Sequence, residues 1–466
     1  MTSRAALPRR IQIDAWAGKR ASGRIAGGGL AWGAAPLGGP HEPLDLEVPA
    51  DLTQWEHEDV GYGILVPDDE AGEWSKAKVT GADLAPSLRR LLAARKKTVV
   101  LRWRPAHGAT RVRRYYPDGR ASDLRIGLTA FGTGIEKLPR YVLIAAPPAV
   151  IPWEVQYAFA LRHAVGRLPF TGDDFAHYVD AMLDGPDGWD AAPPAGGTAA
   201  VWAVDHGSRD ITRLMKTALA EPLVAELTDP RMKVQSLKDA DATSDLLLKA
   251  LRARPTLVVT SSHGATPLDQ AEMTRTLGLP VDRDKNTLPI DDLVAEMPSG
   301  AVWFAQACCS AGADGQSSYR DLLEEGTMAR SIVDAVALQG SIVAPGPAQL
   351  LAREKPVRGV LAHVEPTFDV TLRDPATKQR FTHDIVAGLT DHLHAGRPLG
   401  LILADYYAGI GPILRDWADQ AAKYDEPATA DPDAAARGMV RLRLTAWDRQ
   451  ALVLLGDPTV HIPAII

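Results

Sequence analysis

The chain has 466 residues, of which 46% are hydrophobic and 23% charged, and its formal net charge is −7. This length allows about two to four domains and a large buried core. The slightly acidic balance makes nucleic acid a poor partner. The two cysteines, Cys308 and Cys309, are adjacent. That arrangement excludes a disulfide-stabilised scaffold and a four-cysteine zinc site.

The chain also lacks the apolar segments that target or anchor a protein. No apolar stretch of signal-peptide length follows the first ten residues, and nowhere do 18 apolar residues run together. We therefore expect a cytoplasmic protein without a membrane partner, in a compartment where thiols stay reduced.

Residues 1–135 differ in texture from the rest of the chain. They contain a glycine-rich stretch, isolated aromatic residues and short β-like runs such as residues 98–103, separated by polar loops. No pair of catalytic residue types lies near a predicted strand end there. We expect a small β-rich N-terminal module that regulates the rest of the chain or recruits a partner.

From about residue 140, short apolar runs alternate with amphipathic helical patterns. Such runs are typical of strands buried on both faces of a parallel sheet. The predicted strands cover residues 141–146, 199–204, 256–260, 301–305, 341–344 and 360–364. Helical periodicity appears at residues 175–183, 332–337 and 385–393. This order predicts an α/β sandwich with a mainly parallel sheet.

Reactive side chains follow two of these strands. His263 and Gly264 come shortly after residues 256–260, and Cys308 comes shortly after residues 301–305. Cys308 lies 45 residues beyond His263. Ligands bind at the carboxyl ends of strands in open parallel sheets. An imidazole near a thiol raises the fraction of nucleophilic thiolate. The pair therefore indicates nucleophilic chemistry.

The strand–His–Gly segment, followed by a strand and Gln306-Ala307-Cys308, resembles the caspase, legumain and gingipain clan of cysteine peptidases. The caspase signature is Gln-Ala-Cys-x-Gly, with the histidine about 50 residues upstream. Residues 142–152, 165–169 and 454–459 resemble segments of the gingipain-type bacterial branch, and all five segments occur in the expected order. The resemblance implies a caspase-like three-layer sandwich over residues 138–466, behind the N-terminal module.

The resemblance implies a cysteine endopeptidase that hydrolyses a protein or peptide through a thioester acyl-enzyme. His263 and Cys308 would form the dyad, and the N–H groups of Gly264 and of the cysteine would hold the oxyanion. By resemblance no metal or organic cofactor is needed. A regulatory partner would bind through residues 1–135. The alternative is a catalytically inactive scaffold that binds protein partners through the same cleft.

The choice of nucleophile stays open between two residues. The strand register and a four-residue step to Gly312 favour Cys308, whereas a Cys-x-x-Gly pattern of the legumain type favours Cys309. We take Cys308 as the nucleophile, with Cys309 as the alternative. The other thiol would be a small core residue.

Substrate preference depends by resemblance on the strand at residues 360–364 and the segment after it. Phe368 would form an aromatic pocket wall, and Glu365 would offer negative charge to a Lys or Arg side chain, with His363 nearby. Gingipain-type arginine specificity also uses an aspartate just before Val-Gly-Arg. Residues 157–163 contain no carboxylate. A basic residue before the scissile bond is therefore the first expectation, with a small or apolar residue and an acidic residue as the alternatives.

A second histidine, His206, also follows a predicted strand. It lies one strand too early for the dyad. A zinc site built from Asp205, His206, His263 and the two cysteines would lack the close ligand spacing of known sites, so we predict no metal.

Overall fold

The structure, a computed structural model, describes residues 11–26, 50–69, 71–184, 188–189, 197–374, 377–425 and 431–465. In chain order the strands are β1 (Ile11–Trp16), β2 (Arg20–Gly23), β3 (Tyr62–Pro67), β4 (Val99–Trp103), β5 (Arg111–Tyr115), β6 (Ala121–Arg125), β7 (Tyr141–Ile144), β8 (Ala164–Arg167), β9 (Thr198–Ala203), β10 (Lys233–Lys238), β11 (Leu257–Ser261), β12 (Gly264–Ala265), β13 (Val302–Gln306), β14 (Gly312–Ala313), β15 (Ile342–Val343), β16 (Gly359–His363) and β17 (Leu452–Leu455).

The α-helices are α1 (Lys76–Thr80), α2 (Pro86–Ala94), α3 (Trp153–Ala160), α4 (Gly172–Leu183), α5 (Ile211–Met215), α6 (Glu221–Glu226), α7 (Ser244–Leu251), α8 (Gln270–Thr276), α9 (Ile290–Glu296), α10 (Met328–Ala337), α11 (Pro345–Ala352), α12 (His383–Ala387), α13 (Ala404–Ala408), α14 (Ile410–Asp425) and α15 (Pro432–Ala451). π-Helical turns at Lys216–Ala220 and Gly388–His392 continue α5 and α12. None of the helices in the described ranges is both long and apolar enough to cross a membrane.

Twelve strands form the central sheet, in the order β10-β9-β11-β13-β16-β17-β8-β7-β3-β4-β5-β6. Neighbours from β10 to β16 and from β17 to β4 are parallel, and β16 and β17 are antiparallel. Strands β11, β13 and β16 are buried along their whole length, as expected of parallel strands covered on both faces. The predicted α/β fold with a mainly parallel sheet is confirmed.

One predicted strand belongs elsewhere. Residues 341–344 were expected in the parallel sheet, but β15 pairs antiparallel with β14 in a separate two-stranded sheet. Both strands have only two residues, so periodicity carries little information about their partners.

Strands from the first 135 residues continue the central sheet. β3 pairs in parallel with β7, and β4, β5 and β6 extend that edge. A buried polar cluster joins the same region to the C-terminal loop. The Tyr62 hydroxyl donates to Asp457 Oδ2 (2.6 Å), and the Arg95 guanidinium lies 3.3 Å from Asp457 Oδ1. The division into a module at 1–135 and a domain at 138–466 stays a prediction.

The Asp457 cluster gives a stability prediction. Replacing Asp457 by Ala leaves the buried Arg95 without its charge partner, so we expect a loss of about 3–5 kcal/mol in unfolding free energy. Asp229→Ala breaks an exposed pair with Arg231 and should cost much less unfolding free energy than Asp457→Ala. Urea unfolding of both variants measures the difference. Equal losses would contradict the linking role of Asp457.

Candidate active site

Three neighbouring parallel strands end at the same edge of the sheet. Ser261 at the end of β11 pairs with Gln306 at the end of β13, and β16 lies on the other side of β13. The residues that follow these ends therefore converge. The segments after the three strands carry His263, Gly264, Cys308, Cys309, Glu365 and Phe368.

The backbone between the first two segments is tightly packed. A Cβ atom on Gly264 would lie 2.0 Å from the carbonyl oxygen of Cys308, so only glycine fits there. This close approach holds the His263 segment against the cysteine segment. On the far side, Thr367 N–H donates to Cys308 Sγ (3.1 Å) and Cys309 N–H donates to the Glu365 carbonyl (3.0 Å).

Two non-glycine residues at this edge have left-handed backbone conformations. Cys309 has φ 57° and Glu365 has φ 69°. Residues with side chains rarely adopt such angles, and those that do cluster at functional sites. The hydrogen bond between the two residues stabilises the paired turns and sets the spacing between the second and third segments.

His263 lies between two carboxylates. Its Nδ1 is 2.7 Å from Asp14 Oδ1, and its Nε2 is 3.0 Å from Asp210 Oδ1. The rings of Trp16 and His206 stack on the imidazole, with centroid distances of 5.5 Å and 5.4 Å. The His263 side chain is 1% exposed. Both ring nitrogens and the ring itself are therefore in contact with protein.

This environment determines the charge of the imidazole. Burial alone would lower the pKa of His263, but pairing with Asp14 and Asp210 outweighs it and raises the pKa to about 9. Burial raises the pKa of Asp14 to about 7 despite the ion pair. Burial would also raise the pKa of Asp210, but its pairing with His263 leads the effects that lower it. At neutral pH His263 is an imidazolium.

Both cysteines are fully buried. They lie in a small apolar cluster that also contains Ile13 and Phe368. Burial raises the pKa of the Cys308 and Cys309 thiols well above the ordinary value. The charge of Asp14 raises the pKa of Cys308 further, and that of Glu365 raises the pKa of Cys309. In this conformation the thiols are neutral and closed to solvent.

The residues expected to bind substrate are also buried. His363 lies on β16, where burial lowers its pKa to about 3, so it is a neutral histidine of the sheet interior. The Phe368 ring packs edge-on against Tyr319 at 4.8 Å. Glu365 is 2% exposed, and burial raises its pKa to about 8. Its Oε1 atom has no hydrogen-bond partner among the described residues.

Three side chains have donor atoms close enough to share a metal ion. Ligand atoms of His206, Asp210 and His263 lie within 4.8 Å of one another. However, His206 Nε2 bonds to the Asp282 carbonyl (2.8 Å), and both His263 nitrogens face carboxylates. A metal would have to displace one of these contacts. Neither cysteine belongs to the group, unlike in the zinc set considered from the sequence.

Sequence reasoning missed both carboxylates that contact His263. Asp14 is on β1, in the region where no chemistry was expected. Asp210 caps α5, its Oδ1 accepting from Thr212 N–H (3.0 Å), and the sequence Asp210-Ile211-Thr212 carries that capping signal. His206 was expected outside the dyad; the structure places its ring against His263.

No family model and no curated protein matches this chain. Among solved structures, the Arg-specific cysteine proteinase gingipain R is 13% identical, with a TM-score of 0.37 over 70% of this chain and 64% of that one. The complex of RgpB pro- and mature domains from Porphyromonas gingivalis gives 13% identity and 0.35 over 69% and 65%. A structure described only as a protease gives 11% and 0.44 over 88% and 81%.

The matched region thus spans less than two thirds of both gingipain chains.

The ion pairs of His263 make stability depend on pH. The pKa of His263 is about 9 in the folded protein against an ordinary 6.5, so its stabilisation is complete below pH 6.5 and is lost as pH rises to 9. We expect the gap in unfolding free energy between wild type and His263→Gln to narrow by up to about 3 kcal/mol between pH 6 and pH 9.5.

Urea unfolding at several pH values measures this gap. His57→Gln, which removes an exposed histidine, serves as the control and should change the unfolding free energy little. A gap for His263→Gln that stays constant from pH 6 to pH 9.5 would contradict the imidazolium assignment.

Proposed function

We propose that the chain is a cysteine peptidase in which Cys308 is the nucleophile and His263 the acid. The observation that carries this proposal is the position of the two residues just beyond the paired ends of β11 and β13, with Gly264 packed on the Cys308 backbone. Nucleophilic catalysis needs a thiol, a proton donor and N–H groups directed at one carbonyl oxygen. All three belong to adjacent segments here.

The reaction follows from these positions once the cleft is open. The Cys308 thiolate adds to the peptide carbonyl carbon, and the oxyanion is held by the N–H groups of Cys308 and Gly264. The carbon–nitrogen bond then breaks, and the His263 imidazolium gives its proton to the leaving amine. Water next adds to the thioester, with the neutral imidazole accepting its proton. Release of the carboxylic acid product restores the thiolate and the imidazolium.

A carbonyl oxygen already lies at the proposed oxyanion position. Cys308 N–H donates to the Asp14 carbonyl oxygen at 3.3 Å. The parallel pairing of Ala15 with Gly264 directs the Gly264 N–H toward the same oxygen. The contact supports the assignment of these two N–H groups.

The surroundings of the two thiols favour Cys308. Its Sγ faces the Thr367 amide, and its own N–H faces a peptide carbonyl, so thiol and oxyanion donor lie together. The Cys309 N–H instead donates to the Glu365 carbonyl oxygen, and this hydrogen bond stabilises the left-handed backbone at Cys309. We therefore assign Cys309 to positioning the Cys308 segment.

Asp210 acts in this scheme as a positioning residue. Its carboxylate contacts His263 Nε2 and is itself fixed by the Thr212 N–H and hydroxyl (3.0 Å and 2.8 Å). A carboxylate so held fixes the imidazole orientation and stabilises its charged form.

The buried Glu365 carboxyl supports a preference for a basic residue before the scissile bond. Its Oε1 lacks a hydrogen-bond partner among the described residues, and the carboxylates of Asp314 and Glu154 also raise its pKa. A guanidinium or ammonium entering this region would allow Glu365 to ionise. Ser317 and Ser318 already form hydrogen bonds with the carboxyl, but a neutral side chain would leave Oε1 without a partner.

The second candidate function is a binding scaffold without catalysis. The observation that favours it is the complete burial of both thiols. A scaffold would bind a peptide in the cleft but would not react through Cys308.

The two candidates predict different labelling by a peptide halomethyl ketone. For a peptidase we expect adducts on wild type and Cys309→Ala, none in the cleft of Cys308→Ala, and at least about tenfold slower labelling of His263→Ala. Mass spectrometry of digested protein locates the adduct. Equal labelling of all four proteins would exclude the dyad.

Replacement of Asp210 by Asn should lower kcat about 100-fold and change KM little, because the imidazole loses its orientation and charge partner. The pH profile should also move, since the pKa of His263 depends on this carboxylate. Steady-state peptide hydrolysis from pH 5 to pH 10 measures both effects. A lowered kcat with an unchanged pH profile would indicate a merely structural role.

Replacement of Glu365 by Gln should lower kcat/KM for substrates with Arg or Lys before the scissile bond by about 10- to 100-fold, through loss of the buried charge. Substrates with Ala at that position should change little. Glu325→Gln, which alters a carboxylate with 90% side-chain exposure, is the matched control. An unchanged preference in Glu365→Gln would remove this residue from the specificity pocket.

A further inference from the structure

Strand β1 lies in the cleft formed by the ends of β11, β13 and β16. It pairs in parallel with β12, and the Thr266 N–H donates to the Trp16 carbonyl (2.9 Å). On its other side β1 pairs antiparallel with β2, and this pairing is interrupted between Gln12 and Trp16. Within the interruption Ile13 forms an antiparallel bridge with Phe368, and Asp14 N–H donates to the Thr367 carbonyl (3.3 Å). Backbone groups of β1 are thus paired with both walls of the cleft.

The position of Asp14 resembles that of a bound substrate residue. Its N–H is held by one wall, and its carbonyl oxygen faces the N–H of Cys308, the proposed nucleophile. Its carboxylate is 2.7 Å from Nδ1 of His263, the proposed acid. One residue therefore contacts both a proposed oxyanion donor and the proposed acid.

Two apolar side chains hold the strand in place. Ile13 is 1% exposed and packs in the same cluster as Cys308 and Phe368. Trp16 is 8% exposed and stacks on His263. Removing β1 would expose this apolar surface together with unpaired backbone groups at residues 264–266 and 367–368. Such features bind an extended peptide by strand addition.

We infer that residues 13–16 are the chain's own occupant of the peptide-binding cleft, and that a peptide substrate binds as an extended strand in their place. The inference rests on the proposed function and deepens it. It assigns the substrate as an unfolded or extended segment whose backbone pairs with residues 264–266 on one side and residues 367–368 on the other. It also makes release of β1 the step that opens the site.

Competition between the two occupants has a direct consequence. While β1 is bound, Cys308 is 0% exposed and cannot meet a reagent in solution. Its alkylation rate therefore reports the fraction of molecules in which β1 has left the cleft. Loss of anchoring contacts should raise that fraction, and a peptide that refills the cleft should lower it.

The test compares iodoacetamide alkylation at Cys308 in full-length wild type, Ile13→Ala and Ile126→Ala, with the modified residue located by mass spectrometry. Ile126 is equally buried, at 1% exposure, but belongs to the large sheet core rather than to the cleft. Both substitutions leave a cavity of the same kind. We expect at least about tenfold faster alkylation in Ile13→Ala and at most about twofold in Ile126→Ala under native conditions.

A blocked synthetic peptide of residues 12–17 is then added to the Ile13→Ala protein. We expect it to slow Cys308 alkylation back toward the wild-type rate, whereas a peptide of the same composition in scrambled order should not. Equal rates in the two variants, or no protection by the peptide, would overturn the inference.

Peptide hydrolysis by the Ile13→Ala protein separates this inference from the proposed function. If Cys308 alkylation responds to Ile13→Ala and to the peptide as expected but no peptide is hydrolysed, β1 occupies the cleft and the proposed peptidase activity is refuted. Hydrolysis that is equally fast in wild type and Ile13→Ala would support the peptidase and overturn the closed cleft.

Discussion

The parallel pairing of β11 with β13 is the constraint on which the candidate site depends. Its register aligns Ser261 with Gln306, so His263 and Cys308 leave the sheet side by side. The contact of Gly264 with the Cys308 backbone allows no side chain between the two segments. A one-residue slip of either strand would turn its side chains to the opposite face of the sheet and separate the two reactive groups. Strand pairing and backbone packing therefore bring His263 and Cys308 together without any polar side-chain contact.

Electrostatics then holds the site closed. The imidazolium of His263 needs buried negative charge, and Asp14 and Asp210 supply it from two different elements. Asp14 lies on β1, the strand that occupies the cleft, so one segment both pairs with the imidazolium and blocks access to Cys308. A buried ion pair contributes little net stability, but losing one partner is costly. Release of β1 therefore leaves His263 with one charge partner fewer, and a ligand that replaces the backbone contacts of β1 favours the open cleft.

The sequence predicted the parts of the site that depend on strand periodicity. The apolar runs that precede His263 and Cys308 predicted two strands to within one residue of their observed bounds. Their order along the chain also predicted that these two strands are neighbours in a parallel sheet. Asp14 could not be predicted, because its role depends on a pairing between residues nearly 250 positions apart. Strands β3 to β6 extend the central sheet for a similar reason: the partners of β3 are set by tertiary packing, which periodicity does not report.

The acyl-enzyme is the most direct test that Cys308 performs covalent chemistry. Wild type and the Ile13→Ala protein are mixed with a peptide ester, quenched in acid within milliseconds to seconds, digested and examined by mass spectrometry. We expect the acyl group on Cys308, in larger yield in the Ile13→Ala protein than in wild type, and no acyl group on the Cys308→Ala protein. Turnover of the ester with the acyl group on Cys309, or with no acylated cysteine, would contradict the assignment.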